Sequence, residues 1–399
     1  MKRFLSLIVF CCIVQIGYAA DNDKPATVSP WLYKKLTKTE KLIAEKSYQA
    51  AEKNLYSLLK KVDQGGYEHA TVLRSLSSVQ ALQGHYRKAA ELLEQCLALK
   101  VLPEQQQQQS ILNLGQLYMA TEQYRRAVET LQPWLAKNPK LDAELSALLA
   151  NAYAQLKKYR QALPHIKRAI ATSKKPVESW YQLELALHYE LNEYAAAAKL
   201  LRQLIQQYPN KKEYWEQLSS VYQQLKQFKK AVTIQHLAYK KGLLNSEKEI
   251  LALTNLFLYT GSPYRGAKLL SDALANRQVR GNSRNWETLA NAWQQARELD
   301  KAIDALEKAS SLNDKGVLYQ QLGQIYVEQE HWDKAVQAFN KAIAKGGLKH
   351  AGSVYLLLGM SHYELHNVKQ ARSAFNTAKK YGKQKKAALQ WLDYLDNAS

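Results

Sequence analysis

The fold is decided by the stretch VLYQQLGQIYVEQEHWDKAVQAFNKAI (Val317–Ile343). It carries aromatic, leucine, glycine and alanine residues in an order that recurs along most of the chain. The residues that set this order are Tyr319, Leu322, Gly323, Tyr326, Ala335, Phe339 and Ala342. Counterparts of Tyr319 stand at positions 73, 111, 146, 181, 215, 251, 286 and 355, at intervals of 33 to 38 residues. Nine units at a nearly constant period indicate a repeat protein.

This order resembles the tetratricopeptide repeat family, whose pattern is W-x2-L-G-x2-Y followed by A-x3-F over about 34 residues. Tyr319 takes the Trp place, which is the fourth place of the repeat. The units around Leu251 and Tyr181 match less well, and Glu184 stands where leucine is usual. The resemblance implies an all-α fold, a right-handed superhelical solenoid of antiparallel helix pairs. It would have about ten pairs and a C-terminal capping helix.

Packing explains the pattern, because a single helix pair cannot bury its own apolar face and pairs must therefore stack. Gly or Ala at the eighth place and Ala at the twentieth let the two helices of a pair approach closely. Ser262 and Pro263 are expected to cap and begin a second helix, and Asp300 to cap another. Pro133 and Pro164 fall inside second helices, where we expect local kinks.

The pattern divides the chain into five segments. They are a signal peptide (1–19), a flexible leader (20–29), a degenerate first helical pair (30–65), nine repeats (66–382) and a C-terminal capping helix (383–399). In the last segment Ala388, Trp391, Leu392 and Leu395 share one helix face. We expect this face to shield the last repeat, with a membrane or partner helix as the alternative.

The N-terminus has the layout of a cleavable signal peptide. Two basic residues precede an apolar run of 13 residues (Phe4–Ile16), and small residues follow it. A membrane span needs about 20 residues, so we expect cleavage after Ala19 or Ala20 instead. This indicates export, and the periplasm is the compartment that fits best.

The cysteines agree with this interpretation. Cys11 and Cys12 lie in the signal, but lipid attachment requires a small residue before the cysteine, and Phe10 is bulky. We therefore do not expect a lipoprotein. After cleavage only Cys96 remains, so the mature chain would contain no disulfide.

Two similar phrases, HYELNEY from His188 and HYELHNV from His362, suggest acid–base or metal chemistry. Both histidines stand at the eleventh place, where other repeats carry tyrosine, so we predict that they pack between paired helices. His366 could share a face with His362, but a zinc site needs three or four convergent ligands. The chain lacks a phosphate loop, an HExxH motif, a serine elbow and a paired-cysteine motif. We expect no enzyme activity, cofactor or metal.

The net charge of +21 is distributed unevenly. In the family, the first helix of each repeat lines a concave groove and exposes the second, fifth, ninth, twelfth and thirteenth places. In the nine repeats these places hold eight acids and two bases. The residues that we predict to bind a partner there are Gln116, Asn151, Gln182, Tyr189, Glu213, Glu216, Gln223, Tyr259, Glu287, Asn291, Gln294, Gln320, Gln324 and Tyr363.

Such a groove suits an extended polypeptide, because amide side chains both donate to and accept from a backbone, and tyrosines pack on prolyl or apolar side chains. The alternative is that these residues are only solvated. Some relatives clamp C-terminal carboxylates with converging bases, which are missing here.

Basic pairs fall instead on second helices and loops. They are Arg125-Arg126, Lys157-Lys158, Lys167-Arg168, Lys174-Lys175 and Lys229-Lys230. These bases either keep the solenoid soluble or bind anionic lipid or peptidoglycan. Export argues against a nucleic acid partner.

The overall layout is similar to exported tetratricopeptide proteins that accompany TonB–ExbB–ExbD systems in Gram-negative bacteria. This implies a scaffold accessory to envelope transport, with a TonB-like partner whose Pro-, Lys- and Glu-rich linker would suit the groove. The alternative is a scaffold for envelope or peptidoglycan assembly or for secretion machinery.

Overall fold

The computed structural model describes residues 27–137, 143–348 and 350–397. The predicted signal peptide, its cysteines and most of the predicted leader lie outside these residues. None of the described helices has both the length and the apolar character that a membrane crossing requires.

The described residues form 21 helices and no strand, which confirms the predicted all-α repeat solenoid. The helices are α1 (Pro30–Ala44), α2 (Tyr48–Leu59), α3 (Tyr67–Leu82), α4 (Tyr86–Ala98), α5 (Glu104–Ala120), α6 (Tyr124–Lys137), α7 (Ala143–Gln155), α8 (Tyr159–Thr172), α9 (Glu178–Glu190), α10 (Tyr194–Gln207), α11 (Lys212–Gln224), α12 (Phe228–Lys240), α13 (Glu247–Tyr259), α14 (Pro263–Ala275), α15 (Ser283–Gln295), α16 (Leu299–Leu312), α17 (Gly316–Glu328), α18 (Trp332–Lys345), α19 (Ala351–Glu364), α20 (Val368–Ala378) and α21 (Lys385–Asn397). Odd-numbered helices from α3 to α19 are the first helices of the repeats, and even-numbered helices from α4 to α20 are the second helices.

The helices belong to two compact units, one extending to Leu200 and the other beginning at Leu201. In each unit first helices pack on their own second helices, as α3 does on α4 and α15 on α16, and most second helices also contact the first helix that follows. In the second unit α21 packs on α20 through Ala388, Leu392 and Leu395, which are buried. Stacking thus buries the apolar face that each pair cannot cover by itself.

Small and large side chains alternate across each helix pair. At the eighth place Gly323 faces Phe339, which is fully buried, and a Cβ on Gly323 would lie 2.5 Å from the phenylalanine ring. Gly359 has the same relation to Phe375. Gly115, also at the eighth place, lies instead against Leu131 and Leu148, whose methyl carbons would be 2.9 Å from a Cβ. The glycines are therefore required by the large side chains that lie against them, whether aromatic or aliphatic.

The turn inside each repeat contains one residue with positive φ. This residue is Gly84, Glu122, Lys157, Asn192, Lys226, Gly261, Arg297, Glu330 and His366 in the successive repeats. The next residue donates its N–H to a carbonyl five residues earlier, for example from Asn367 to His362 at 2.8 Å. This is the bonding of a Schellman motif, and it ends each first helix at an equivalent position.

The turns correct the predicted frame of one repeat. Gly261 lies eleven residues after Ile250, as the other turn residues do after their fourth place. The fourth place of this repeat is therefore Ile250, and the prediction of Leu251 was wrong by one residue. The frame that begins from Leu251 would place Ala267 at the twentieth place. In the structure that place is taken by Gly266, where a Cβ would lie 3.1 Å from the Thr254 carbonyl oxygen.

The predicted helix caps are also corrected. α16 has Glu298 at its N-cap, and Asp300 lies in its first turn, where Oδ1 accepts a hydrogen bond from Gln329 Nε2 at 2.8 Å. Ser262 stands at the N-cap of α14 without a side-chain capping bond, although Pro263 does begin the helix.

Candidate functional site

Consecutive first helices contact each other inside each unit. In the first unit α5 contacts α7 and α7 contacts α9, and in the second unit α17 contacts α19. First helices are therefore closer together than second helices, so their side is the inner one within each unit. We call the outward-facing side chains of these helices the first-helix surface.

The first-helix surface of the first unit includes four of the predicted residues. Gln182 is exposed on α9, while Gln116, Asn151 and Tyr189 are half-buried on α5, α7 and α9. The Gln182 amide donates to Glu178 Oε1 at 3.3 Å, so its nitrogen is already engaged on the helix surface.

In the second unit the exposed members of the predicted set are Glu213, Gln223, Tyr259 and Gln324, and the half-buried ones are Glu216, Glu287, Asn291, Gln294 and Tyr363. Gln320 differs from the prediction because only 8% of it is exposed. It lies on α17, which is in contact with α19, and this close approach removes the fifth place of that repeat from the surface. Gln320 is therefore the least accessible member of the predicted set.

The corrected frame also changes the charge of the surface. Glu249 moves out of the set and Lys248, which is exposed, enters it at the second place. The surface then holds seven acids and three bases. It stays acidic in a chain whose net charge is +21.

Some bases and acids near this surface pair with each other between repeats. Lys212 Nζ lies 2.8 Å from Glu249 Oε1, joining α11 to α13, and Arg297 pairs with Glu328. Burial alone would raise the pKa of the Glu249 carboxyl. The hydrogen bonds that it accepts from Lys212 and from the Ser246 and Asn245 backbone outweigh burial and lower that pKa to about 2.

In the second unit, three acids of the first-helix surface besides Glu364 have no ion pair among the described residues. They are Glu213, Glu216 and Glu287. The first two lie three residues apart on α11, so they share one helix face. These carboxylates are therefore available to a cationic ligand.

Tyrosines border the surface. Tyr259, at the end of α13, is 68% exposed, and the Phe228 ring meets it edge to face at a centroid distance of 4.6 Å. Tyr189 meets Tyr194 in the same way at 6.3 Å. Tyr363 is less available, because its hydroxyl donates to Tyr394 on the capping helix at 3.1 Å. Tyr259 is thus the most accessible aromatic ring of the predicted set.

The histidines of the two similar phrases have structural surroundings. His188 is buried, and its Nδ1 lies 2.7 Å from Glu193 Oε2 at the start of α10. Burial lowers the pKa of His362. His366 occupies the left-handed turn residue. Within the described ranges no group of three His, Cys, Asp or Glu side chains is arranged to hold a metal ion.

Cys96 is fully buried on α4, and its Sγ lies 3.2 Å from the Ala70 carbonyl oxygen, to which it can donate. Burial raises the pKa of this thiol to about 11. A thiol that stays protonated and covered is a packing residue and not a nucleophile.

Sequence reasoning missed a second use of the basic residues. In four repeats a base eight positions after the eleventh-place aromatic lies over that ring, at 4.7 Å for Arg126 on Tyr118 and 5.6 Å for Lys230 on Tyr222. The other two pairs are Lys301 with Trp293 and Lys334 with Tyr326. The constant offset is visible in the sequence.

In two of the predicted basic pairs, one member makes such a cation–π contact and its neighbour does not. Arg126 also bonds to Glu94 at 2.8 Å, and Lys230 lies over an aromatic ring. Their neighbours Arg125 and Lys229 make no ion pair or cation–π contact in the described part of the chain, although both members of each pair are exposed. One member of each pair therefore stabilises the repeat, and the charge of the other is not engaged in this way.

Comparison with known families gives three matches, each to a model described as a tetratricopeptide repeat. They cover residues 80–152, 182–211 and 321–394, so both units contain one. No curated protein matches the chain significantly.

Several solved structures are similar to the chain. A tetratricopeptide repeat protein from Parabacteroides merdae ATCC 43184 has 15% identity and a TM-score of 0.41, over 74% of this chain and 99% of that one. MamA from Desulfovibrio magneticus RS-1 has 20% identity and a TM-score of 0.32, over 42% and 93%. YrrB, described as a TPR protein with an unusual peptide-binding site, has 14% identity and a TM-score of 0.38, over 49% and 98%.

Proposed function

Because the chain is a member of the tetratricopeptide repeat family, whose solenoids serve as scaffolds for protein–protein interaction, we propose that it binds an extended polypeptide on its first-helix surface. The observation that carries this proposal is that the first helices expose amide side chains, such as Gln223 and Gln324, together with glutamates that have no ion pair in the described part of the chain, such as Glu213. Amide side chains can form hydrogen bonds with the backbone of a bound polypeptide whatever its sequence, and the glutamates add a preference for cationic side chains.

The side chains of the first-helix surface favour a partner segment that is basic or contains proline. Glu213 and Glu216 would attract lysines, and the exposed Tyr259 ring offers a platform for a prolyl side chain. The linker of a TonB-like protein has this composition. We therefore propose a periplasmic scaffold that is accessory to TonB-dependent envelope transport and has no enzymatic activity.

A second candidate is a scaffold for envelope or peptidoglycan assembly or secretion machinery that binds anionic envelope components on its second helices. Arg125, Lys167 and Lys229 support it, because they are exposed and have no ion pair in the described part of the chain. This candidate uses the opposite face, so one pair of variants can separate the two.

The test is charge reversal on the first-helix surface. Glu213→Lys with Glu216→Lys should weaken binding of a fluorescent Pro-, Lys- and Glu-rich linker peptide at least about tenfold, because the lysines of the peptide would meet lysines. The matched control is Asp304→Lys with Asp393→Lys, two exposed acids away from this surface. It changes the net charge equally and should alter the affinity less than about twofold.

Fluorescence anisotropy at fixed ionic strength gives both affinities. Equal losses in the two variants would show that net charge governs binding, and the proposed surface would be wrong. Loss in the control variant alone would favour the opposite face.

A further inference from the structure

Between α20 and α21 the chain passes through KKYGKQKK (Lys379–Lys386), which holds five lysines in eight residues. Four of them, all but Lys379, are exposed. No acidic residue follows until Asp393. We call this segment the basic turn. It is the densest cluster of charge in the described residues, and the groove function does not account for it.

Some bases of the second unit are neutralised by a nearby carboxylate. Arg372 pairs with Asp396 and Lys345 with Asp314, close to the basic turn in sequence. By contrast, none of the five turn lysines has a carboxylate within 4 Å among the described residues. Like charges held this close repel one another, and a bound anion would relieve that repulsion.

The basic turn is fixed to α19. Tyr381 stacks on Tyr355 with ring centroids 6.2 Å apart, and Gln384 Nε2 donates to Ser353 Oγ at 2.9 Å. Gly352 makes room for Tyr381, because a Cβ there would lie 2.6 Å from the tyrosine Cβ. The turn therefore presents its lysines from a rigid base, which lowers the entropy cost of binding.

Two exposed apolar side chains accompany the lysines. Tyr381 and Leu389 are each 39% exposed. Leu389 follows Lys385 by four residues and Lys386 by three, so the three share one face of α21. This face adjoins the buried face that holds α21 on α20, because Leu389 precedes the buried Leu392 by three residues. Exposed lysines beside an aliphatic and an aromatic side chain are the composition of segments that lie at a membrane surface.

We propose that the basic turn docks the protein on an anionic phospholipid bilayer. The lysines would meet the headgroup phosphates, while Tyr381 and Leu389 would lie at the boundary with the acyl chains. The apolar pair favours a bilayer over a soluble acidic polymer, which lysines alone could bind. This proposal does not depend on polypeptide binding by the first-helix surface.

The test compares two variants of the full chain. One replaces Lys380, Lys383, Lys385 and Lys386 with glutamine. The matched control replaces Lys157, Lys158, Lys174 and Lys175, which are equally exposed and lie in the other unit. Both lose the same charge and keep the same N-terminus, so any contribution of residues 1–26 is common to them. Circular dichroism establishes that both are folded.

Sedimentation with vesicles of phosphatidylglycerol and phosphatidylethanolamine measures the binding. The turn variant should bind at least about tenfold more weakly than the unmodified chain, and the control should stay within about twofold. Binding should decrease with added salt. Leu389→Gln should weaken binding about threefold without changing the dependence on salt.

Three outcomes would overturn the proposal. They are equal losses in the two variants, binding to phosphatidylcholine vesicles as strong as to the anionic ones, and binding to soluble polyglutamate without binding to anionic vesicles. The last would assign the basic turn to an acidic polymer.

Discussion

Replacing Gly323 with alanine tests whether the two helices of a repeat are as close as the structure shows. Helix propensity predicts that the alanine raises the free energy of unfolding, whereas packing predicts that it lowers it. Gly323 is inside α17, where alanine would stabilise an isolated helix by about 1 kcal/mol. In the folded chain the new Cβ would lie 2.5, 2.6 and 2.9 Å from three ring atoms of Phe339, which is fully buried and cannot move aside.

Overpacking of this kind costs about 1–3 kcal/mol. After subtraction of the propensity gain, we expect Gly323→Ala to lower the free energy of unfolding by up to about 2 kcal/mol. Phe339→Leu alone should cost about 1–2 kcal/mol through the cavity that it leaves. The double variant should be less destabilised than the sum of the two single variants by about 1 kcal/mol, since the smaller leucine leaves room for the new methyl group.

Urea unfolding followed by circular dichroism gives the shift of the midpoint for each variant. Midpoints are the safer quantity, because repeat arrays can depart from two-state unfolding. Gly359→Ala, which meets Phe375 at the same 2.5 Å, is an internal replicate. If Gly323→Ala raised the midpoint, the close approach of these two helices would be refuted.

Three further predictions concern single groups. Cys96, with a thiol pKa raised to about 11 by burial, should not react with a thiol reagent at pH 8 in the folded chain and should react once urea unfolds it. The pKa of Glu249 is lowered to about 2, so its contribution to stability is complete above about 4.5 and is lost as the pH falls toward 2. Glu249→Gln should therefore remove part of the acid dependence of the unfolding midpoint, whereas Glu213→Gln, an exposed acid without an ion pair, should not. Cell fractionation with N-terminal sequencing should find a soluble periplasmic product beginning at Ala20 or Asp21, and an intact N-terminus would contradict the predicted signal peptide.

Much of the fold could be predicted from the sequence because the repeat requires small residues at defined places, and these recur. The one error of frame arose where the sequence is ambiguous. Ile250 and Leu251 are both apolar, and Gly266 and Ala267 are both small. Only the left-handed turn at Gly261, which the structure shows, decides between the two frames.

The first-helix surface was harder to predict, because exposure depends on how closely neighbouring first helices approach. Gln320 is almost fully buried, whereas Gln182, at the same place of another repeat, is exposed. The sequence also did not show which basic side chains make cation–π contacts. Lys230 and Lys229 are adjacent and chemically identical, but only Lys230 lies over an aromatic ring.

The most direct test of the proposed function is site-specific photo-cross-linking in the cells that produce the protein. A photoreactive amino acid at Gln223 lies on the first-helix surface, and one at Lys229 lies on the second helix of the same repeat. Both positions are exposed, so the two differ in face and not in access. We predict cross-links from Gln223 to a lysine- or proline-rich segment of another protein, identified by mass spectrometry, and few from Lys229. Polypeptide cross-links from Lys229 and none from Gln223 would contradict binding on the first-helix surface.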